Sequence, residues 1–176
     1  MKFKSTPFDG VYTIEMERII DERGFFARSF CQNEFQVRGL NPIVRQCNIS
    51  FNSKKGTLRG MHFQNPPFAE DKVVSCSHGA IYDVIIDLRK ESPTYKKWTS
   101  FELNEENRTS LYIPAGFAHG FQTLCDNVQV DYQMSEFFQP DSARGVRYND
   151  PVFSIKWPLE ISVISKKDLN YSDYGG

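Results

Sequence analysis

Short apolar runs with a period close to two recur along the chain. Clusters of Gly, Pro, Asn and Asp separate them. This alternation predicts strands over 10–16, 25–30, 44–50, 57–63, 72–77, 80–88, 98–103, 110–113, 117–124, 128–135 and 161–165. Many short strands divided by turn signals indicate an all-β sandwich or barrel. One stretch, 33–38, reads as a brief helix, with Asn33 as its cap and Gly39 as its stop.

The run Ile81-Tyr82-Asp83-Val84-Ile85-Ile86-Asp87-Leu88 is apolar on almost both parities. A strand of that kind must be covered on both faces, which suits a double-layered jelly roll better than a one-sided sheet. The 176 residues contain no internal repeat, low-complexity tract or Pro/Gly/Ser-rich linker. They read as one domain over 1–176, with an N-terminal arm open to exchange between copies.

Composition narrows the function classes. The formal net charge is -1, so no basic excess points to nucleic acid and no acidic tail to a solvating segment. The first 24 residues hold no continuous apolar run of the length a secretory signal (about 7–15 residues) or a membrane span (about 20) needs. The expectation is a soluble, cytoplasmic protein that meets neither membrane nor nucleic acid. Cys31, Cys47, Cys76 and Cys125 lie far apart and form no C-x-x-C pair, which reads as buried, reduced thiols rather than a zinc site.

Of the three histidines, His62 falls in a strand after a turn, and His119 follows a Pro/Gly turn, Pro114-Ala115-Gly116-Phe117-Ala118-His119. The P-x-G-x-x-H spacing is the one metal-binding cupin barrels use for a second ligand segment. Such a site also needs H-x-H and a nearby carboxylate. Here His62-Phe63-Gln64 puts glutamine in place of the second histidine, and Glu70 and Asp71 are followed at once by Lys72. A cation so close disfavours a divalent ion, so no metal is expected. By themselves Lys72 reads as a strand-end lysine reaching solvent and Tyr132 as a core tyrosine with a hydrogen-bonded hydroxyl.

Taken in order, several stretches resemble the dTDP-4-dehydrorhamnose 3,5-epimerase family from about residue 8 to residue 170. They are Asp21-Glu22-Arg23-Gly24-Phe25-Phe26, Gln46-Cys47-Asn48-Ile49-Ser50, Leu58-Arg59-Gly60-Met61-His62-Phe63-Gln64, Lys72-Val73-Val74 and Gly79-Ala80-Ile81-Tyr82-Asp83-Val84. The stretch from Ile113 to Phe121, Asn149-Asp150-Pro151 and Ser165-Lys166-Lys167-Asp168 complete the set. The resemblance implies a cupin-type double-stranded β-helix with short peripheral helices, working as a homodimer. It also implies a nucleoside-diphospho-4-keto-6-deoxyhexose substrate and no cofactor. Residue by residue, it implies that His62 is the catalytic base, Tyr132 the acid and Asp168 the carboxylate that orients the base. It places Arg23, Gln46, Asn48, Arg59, Lys72, His119 and Lys167 at substrate-binding positions, Arg23 on an arm that reaches the neighbouring subunit.

These residue types fit the chemistry. A C4 ketone acidifies the hydrogens at C3 and C5; removing one gives an enolate, and protonation from the other face inverts the carbon. Imidazole titrates near neutral pH and suits the base; a carboxylate fixes its tautomer. Lys72 can stabilise the enolate oxygen, and the arginines the diphosphate. Asp83 is a second candidate partner for His62.

Three positions depart from the family pattern. Arg28 and Ala143 stand where glutamates are usual, and Phe138 where a base-stacking tyrosine is usual. Arg28 points either to the nucleotide or to solvent. The nucleotide therefore stays open among dTDP, CDP, GDP and UDP. So does inversion at C3, C5 or both, against ketoisomerisation. A non-catalytic sugar-nucleotide-binding cupin is the reading from another class.

Overall fold

The computed structural model describes residues 1–175. In chain order, the described strands are β1 (Lys2–Ser5), β2 (Tyr12–Glu15), β3 (Ile19–Asp21), β4 (Gly24–Phe26), β5 (Gln46–Asn52), β6 (Thr57–Gln64) and β7 (Lys72–His78). They continue with β8 (Ala80–Asp87), β9 (Trp98–Asn104), β10 (Ser110–Ile113), β11 (Phe117–Thr123), β12 (Val128–Met134), β13 (Ala143–Gly145) and β14 (Val163–Ile164). Among the described residues there are two short helices, α1 (Gln32–Gln36) and α2 (Lys166–Leu169).

One sheet has the order β1-β2-β10-β7-β12-β5, the other β13-β6-β11-β8-β9, and β14 pairs with β6. All pairings are antiparallel except β14 with β6. This is the double-layered β architecture expected, and β3 and β4 form a separate hairpin. No helix among the described residues is long and apolar enough to cross a membrane.

Alternation explains both core and site. Val74 and Cys76 of β7, Leu111 and Ile113 of β10, Val128 and Val130 of β12, Ile81 and Ile85 of β8, and Phe121 of β11 fill one inter-sheet cluster. Each fully buried aliphatic side chain of this kind contributes roughly 1.5–3 kcal/mol. Side chains two residues apart share a face. The same inward rows therefore carry Lys72, Tyr132, Asp83 and His119, where the apolar filling gives way to a cavity. Strand β8 is covered on both faces, as its two apolar parities require: Val84 and Ile86 pack in a second cluster with Met61, Val146 and Phe153.

The local reading needs correction in several places. Helix α1 has Cys31, not Asn33, at its N-cap, and no side chain caps it. Packing places it instead: Phe35 is buried against Phe3, Phe30 and Tyr112. The strand expected over 25–30 stops at Phe26, because it is one arm of the β3–β4 hairpin and Phe30 turns toward the α1 cluster. Strands β1, β3 and β13 and helix α2 carry too little periodicity to be read from sequence.

Candidate active site

A cavity of about 800 Å³ lies between the two sheets. His62 sits on β6, paired across the ladder with His119 of β11. Gly60 makes this close approach possible: its φ is +130°, and a Cβ there would stand 2.5 Å from the α-carbon of Gly120.

The carboxylate for His62 comes from the far end of the chain. Strand β14 lies parallel to the start of β6, with Val163 opposite Thr57 and Ile164 opposite Leu58. Ser165 then accepts the Asp168 amide hydrogen at 3.0 Å and so caps α2. That turn delivers a buried Asp168 whose Oδ1 is 2.7 Å from His62 Nε2. Burial pushes the Asp168 carboxyl up, but hydrogen bonds from His62, the Gly60 amide and Ser165 outweigh it and hold the group below the usual carboxylate range. With Nε2 engaged, Nδ1 is the ring nitrogen left for substrate.

Tyr132 faces this pair from the opposite sheet, on β12. Burial, with the nearby charge of Asp83, pushes its hydroxyl far above an ordinary phenol, so it remains a proton donor. Lys72 is buried rather than solvated. Its ammonium bonds Glu70 Oε1 at 2.9 Å and the His62 carbonyl at 3.3 Å, because the inward parity of β7 turns it into the cavity. Asp83 does not serve His62. It bonds His119 Nε2 at 2.7 Å, since β8 pairs with β11 and β6 lies one strand further on. Burial raises the Asp83 carboxyl, opposed by His119 and Lys72. The His119 ring meets Tyr132 edge-on at 6.0 Å. Among the described residues, no group of three or more His, Cys, Asp and Glu side chains is placed to hold a metal ion.

An imidazole with its carboxylate, a protonated tyrosine on the facing sheet and a buried ammonium lining the same cavity can take a proton from one face of a ring carbon and return another to the opposite face. Residues 5–174 match the family model described as dTDP-4-dehydrorhamnose 3,5-epimerase. The chain belongs to this family. It is 43% identical over 173 residues to the dTDP-4-dehydrorhamnose 3,5-epimerase of Methanothermobacter thermautotrophicus, covering 97% of this chain and 92% of that one. The crystal structure of the Bacillus anthracis dTDP-4-dehydrorhamnose 3,5-epimerase with TDP and PPi bound superposes with a TM-score of 0.95 at 38% identity, over 98% and 99% of the two chains. A 3'-monoepimerase from Streptomyces bikiniensis in complex with dTDP-quinovose gives 0.88 at 30%, over 96% and 85%.

Within this epimerase-family cavity the structure gathers ten of the twelve residues singled out by sequence: His62, Tyr132, Asp168, Lys72, Gln46, Asn48, Arg59, His119, Phe138 and Lys167. Asn52 Oδ1 holds the Arg59 guanidinium at 2.7 Å, and Gln46 Oε1 accepts the Phe138 amide hydrogen at 2.9 Å. Arg23 and Arg28 are not in the cavity of their own chain. Arg23, on the β3–β4 hairpin, pairs with Asp21, and Arg28 pairs with Glu34 at 2.9 Å. The sequence assigned no site role to Glu70, Arg144 or Tyr171, which also line the cavity. Glu70 was findable, because two positions before Lys72 is the same side of an extended chain. Tyr171 carried no signal, since it follows α2 in an irregular segment.

Proposed function

We propose that the protein inverts carbons beside the C4 ketone of a nucleoside-diphospho-4-keto-6-deoxyhexose, with dTDP the leading nucleotide. The observation that carries this reading is the His62–Asp168 pair standing across one cavity from Tyr132, on facing sheets. His62 Nδ1 takes the proton from carbon, and Asp168 stabilises the imidazolium. The electron pair moves to the C4 oxygen, beside the Lys72 ammonium. Tyr132 then gives its hydroxyl proton to the opposite face of the same carbon. Exchange with water resets both groups. Arg59, Lys167, Gln46 and Asn48 hold the diphosphate and nucleoside, and Phe138 offers an exposed ring for the base to stack on. A charged nucleotide sugar does not cross membranes unaided, which favours a cytoplasmic setting.

The reading includes a homodimer of one-domain subunits. Ile20 and Phe26 of the β3–β4 hairpin are 77% and 72% exposed, and edge strand β5 leaves Ile49 and Phe51 exposed. So much apolar surface on an arm and a sheet edge fits burial against a second copy. Exchange of the arm would carry Arg23 to the partner's cavity.

The second reading, inversion at one carbon only, draws on the likeness to the monoepimerase. A panel of dTDP-, CDP-, GDP- and UDP-linked 4-keto-6-deoxy sugars in heavy water, followed by NMR, tests both. Deuterium should enter at C3, C5 or both of at least one substrate. A protein that binds these sugars and exchanges no hydrogen is a binding module, and the epimerase reading fails.

A further inference from the structure

The hydrogen bond that His62 Nε2 makes to Asp168 fixes the imidazole incompletely. The χ2 torsion of histidine is broad, so one hydrogen bond at Nε2 leaves the ring room to tilt about the Cβ–Cγ bond and carry Nδ1 with it. The imidazole side chain is 44% exposed, so burial does not restrain it either. The ring of Tyr171 does meet it, edge-on, with centroids 6.0 Å apart and planes at 69°. Tyr171 follows Asp168 by three residues, so the segment that supplies the carboxylate also supplies this ring.

The seat of the ring is built on a glycine. Gly145 of β13 stands directly opposite His62 in the ladder. A Cβ there would lie 2.2 Å from Cε2 and Cζ of Tyr171. The Gly145 backbone does not call for glycine, as it is not among the positive-φ positions. What requires a bare α-carbon is the aromatic ring lying on it. The Tyr171 hydroxyl is beside Lys167; burial raises it and Lys167 opposes the rise.

We propose that Tyr171, seated on Gly145, is a positioning residue that fixes the plane of the His62 imidazole and aims Nδ1 into the cavity. The proposal rests on His62 being the base. It acts through the ring and not through the hydroxyl, which sets it apart from a second acid.

The test is a mutant cycle on the full-length protein, reading kcat, KM and heavy-water wash-in. Tyr171→Phe keeps the ring and should stay within about twofold of the parent. Tyr171→Ala should lower kcat by about ten- to a hundredfold with little change in KM, the scale expected of a misaimed catalytic group. Gly145→Ala should do the same by displacing the ring. The double variant should be no worse than Tyr171→Ala, because with the ring gone the added methyl meets open space. In a His62→Ala background Tyr171→Ala should have no further effect on residual exchange. A Tyr171→Ala or Gly145→Ala enzyme that keeps its kcat, or losses that multiply in the double variant, overturns the proposal. Exchange that persists undiminished in His62→Ala overturns the base assignment itself, a separate outcome.

Discussion

His62 and Asp168 are 106 positions apart in sequence and 2.7 Å apart in the fold. Their pairing leads to the first prediction. His62→Ala should lower turnover by about 10²–10⁴, the usual contribution of a general base, and slow deuterium wash-in to match. Near-normal wash-in would sink the assignment. Lys72 leads to a second. A buried ammonium bonded to Glu70 beside His62 offers a divalent ion repulsion rather than a ligand set. Activity should survive exhaustive chelation; loss restored by one divalent ion would reverse that expectation. Tyr132 belongs to the same scale: burial keeps its hydroxyl protonated through the working pH range, the form that can donate.

Among the elements, β8 shows how a strand buried on both faces tolerates carboxylates. Asp87, at its end, is fully buried and receives two hydrogen bonds from the Arg89 guanidinium at 2.9 and 2.8 Å, one from Ser92 at 2.6 Å and one from Thr94 at 2.7 Å. Burial works against ionisation, but these donors prevail and bring the carboxyl down to about 2. A group lowered from 3.8 to about 2 stabilises the fold by about 2 kcal/mol above its unfolded value, and that contribution is lost as pH falls through the folded one. Asp87→Asn should therefore cost about 2 kcal/mol at neutral pH, with the gap to the parent narrowing from about pH 4 toward pH 2. Urea unfolding at several pH values checks this; a gap that stays constant into acid would show that ionisation is not the source.

At the scale of the whole molecule, the exposed hairpin and the nucleotide end of the cavity set the questions. If the hairpin packs on a second copy, Ile20→Asp with Phe26→Asp should shift sedimentation toward monomer and depress activity in parallel. An active, strictly monomeric parent at assay concentration would end the shared-site reading. For the nucleotide, the structure takes Arg28 away to Glu34, leaving Ala143 and Phe138 as the departures that line the cavity. Alanine offers no side-chain acceptor for the N3–H of thymine. One buried donor left unpaired costs about 1–3 kcal/mol, or roughly 5–150-fold in affinity. Calorimetry with dTDP, CDP, GDP and UDP should accordingly show a dTDP preference below a hundredfold. A larger one would require an acceptor supplied from elsewhere, such as the partner's arm.

The alternation of side chains by itself determined the β architecture, the strands from β5 to β12 within a residue or two, and the burial of β8 on both faces. These follow from a period of two against a buried interior, a rule that acts within one strand. The motifs determined ten of the cavity residues, because inward rows that begin as core end as site. Sequence could not decide which carboxylate serves which histidine. Asp83 and Asp168 were both candidates for His62, and the sheet order chose: β11 stands between β6 and β8, while β14 pairs with β6 and brings α2 to it. Nor could it decide that Lys72 is buried with Glu70, or that Gly145 is bare because Tyr171 lies on it. Those contacts join segments with no periodic relation, so they exist only once the sheets have closed and the C-terminal segment has packed against them.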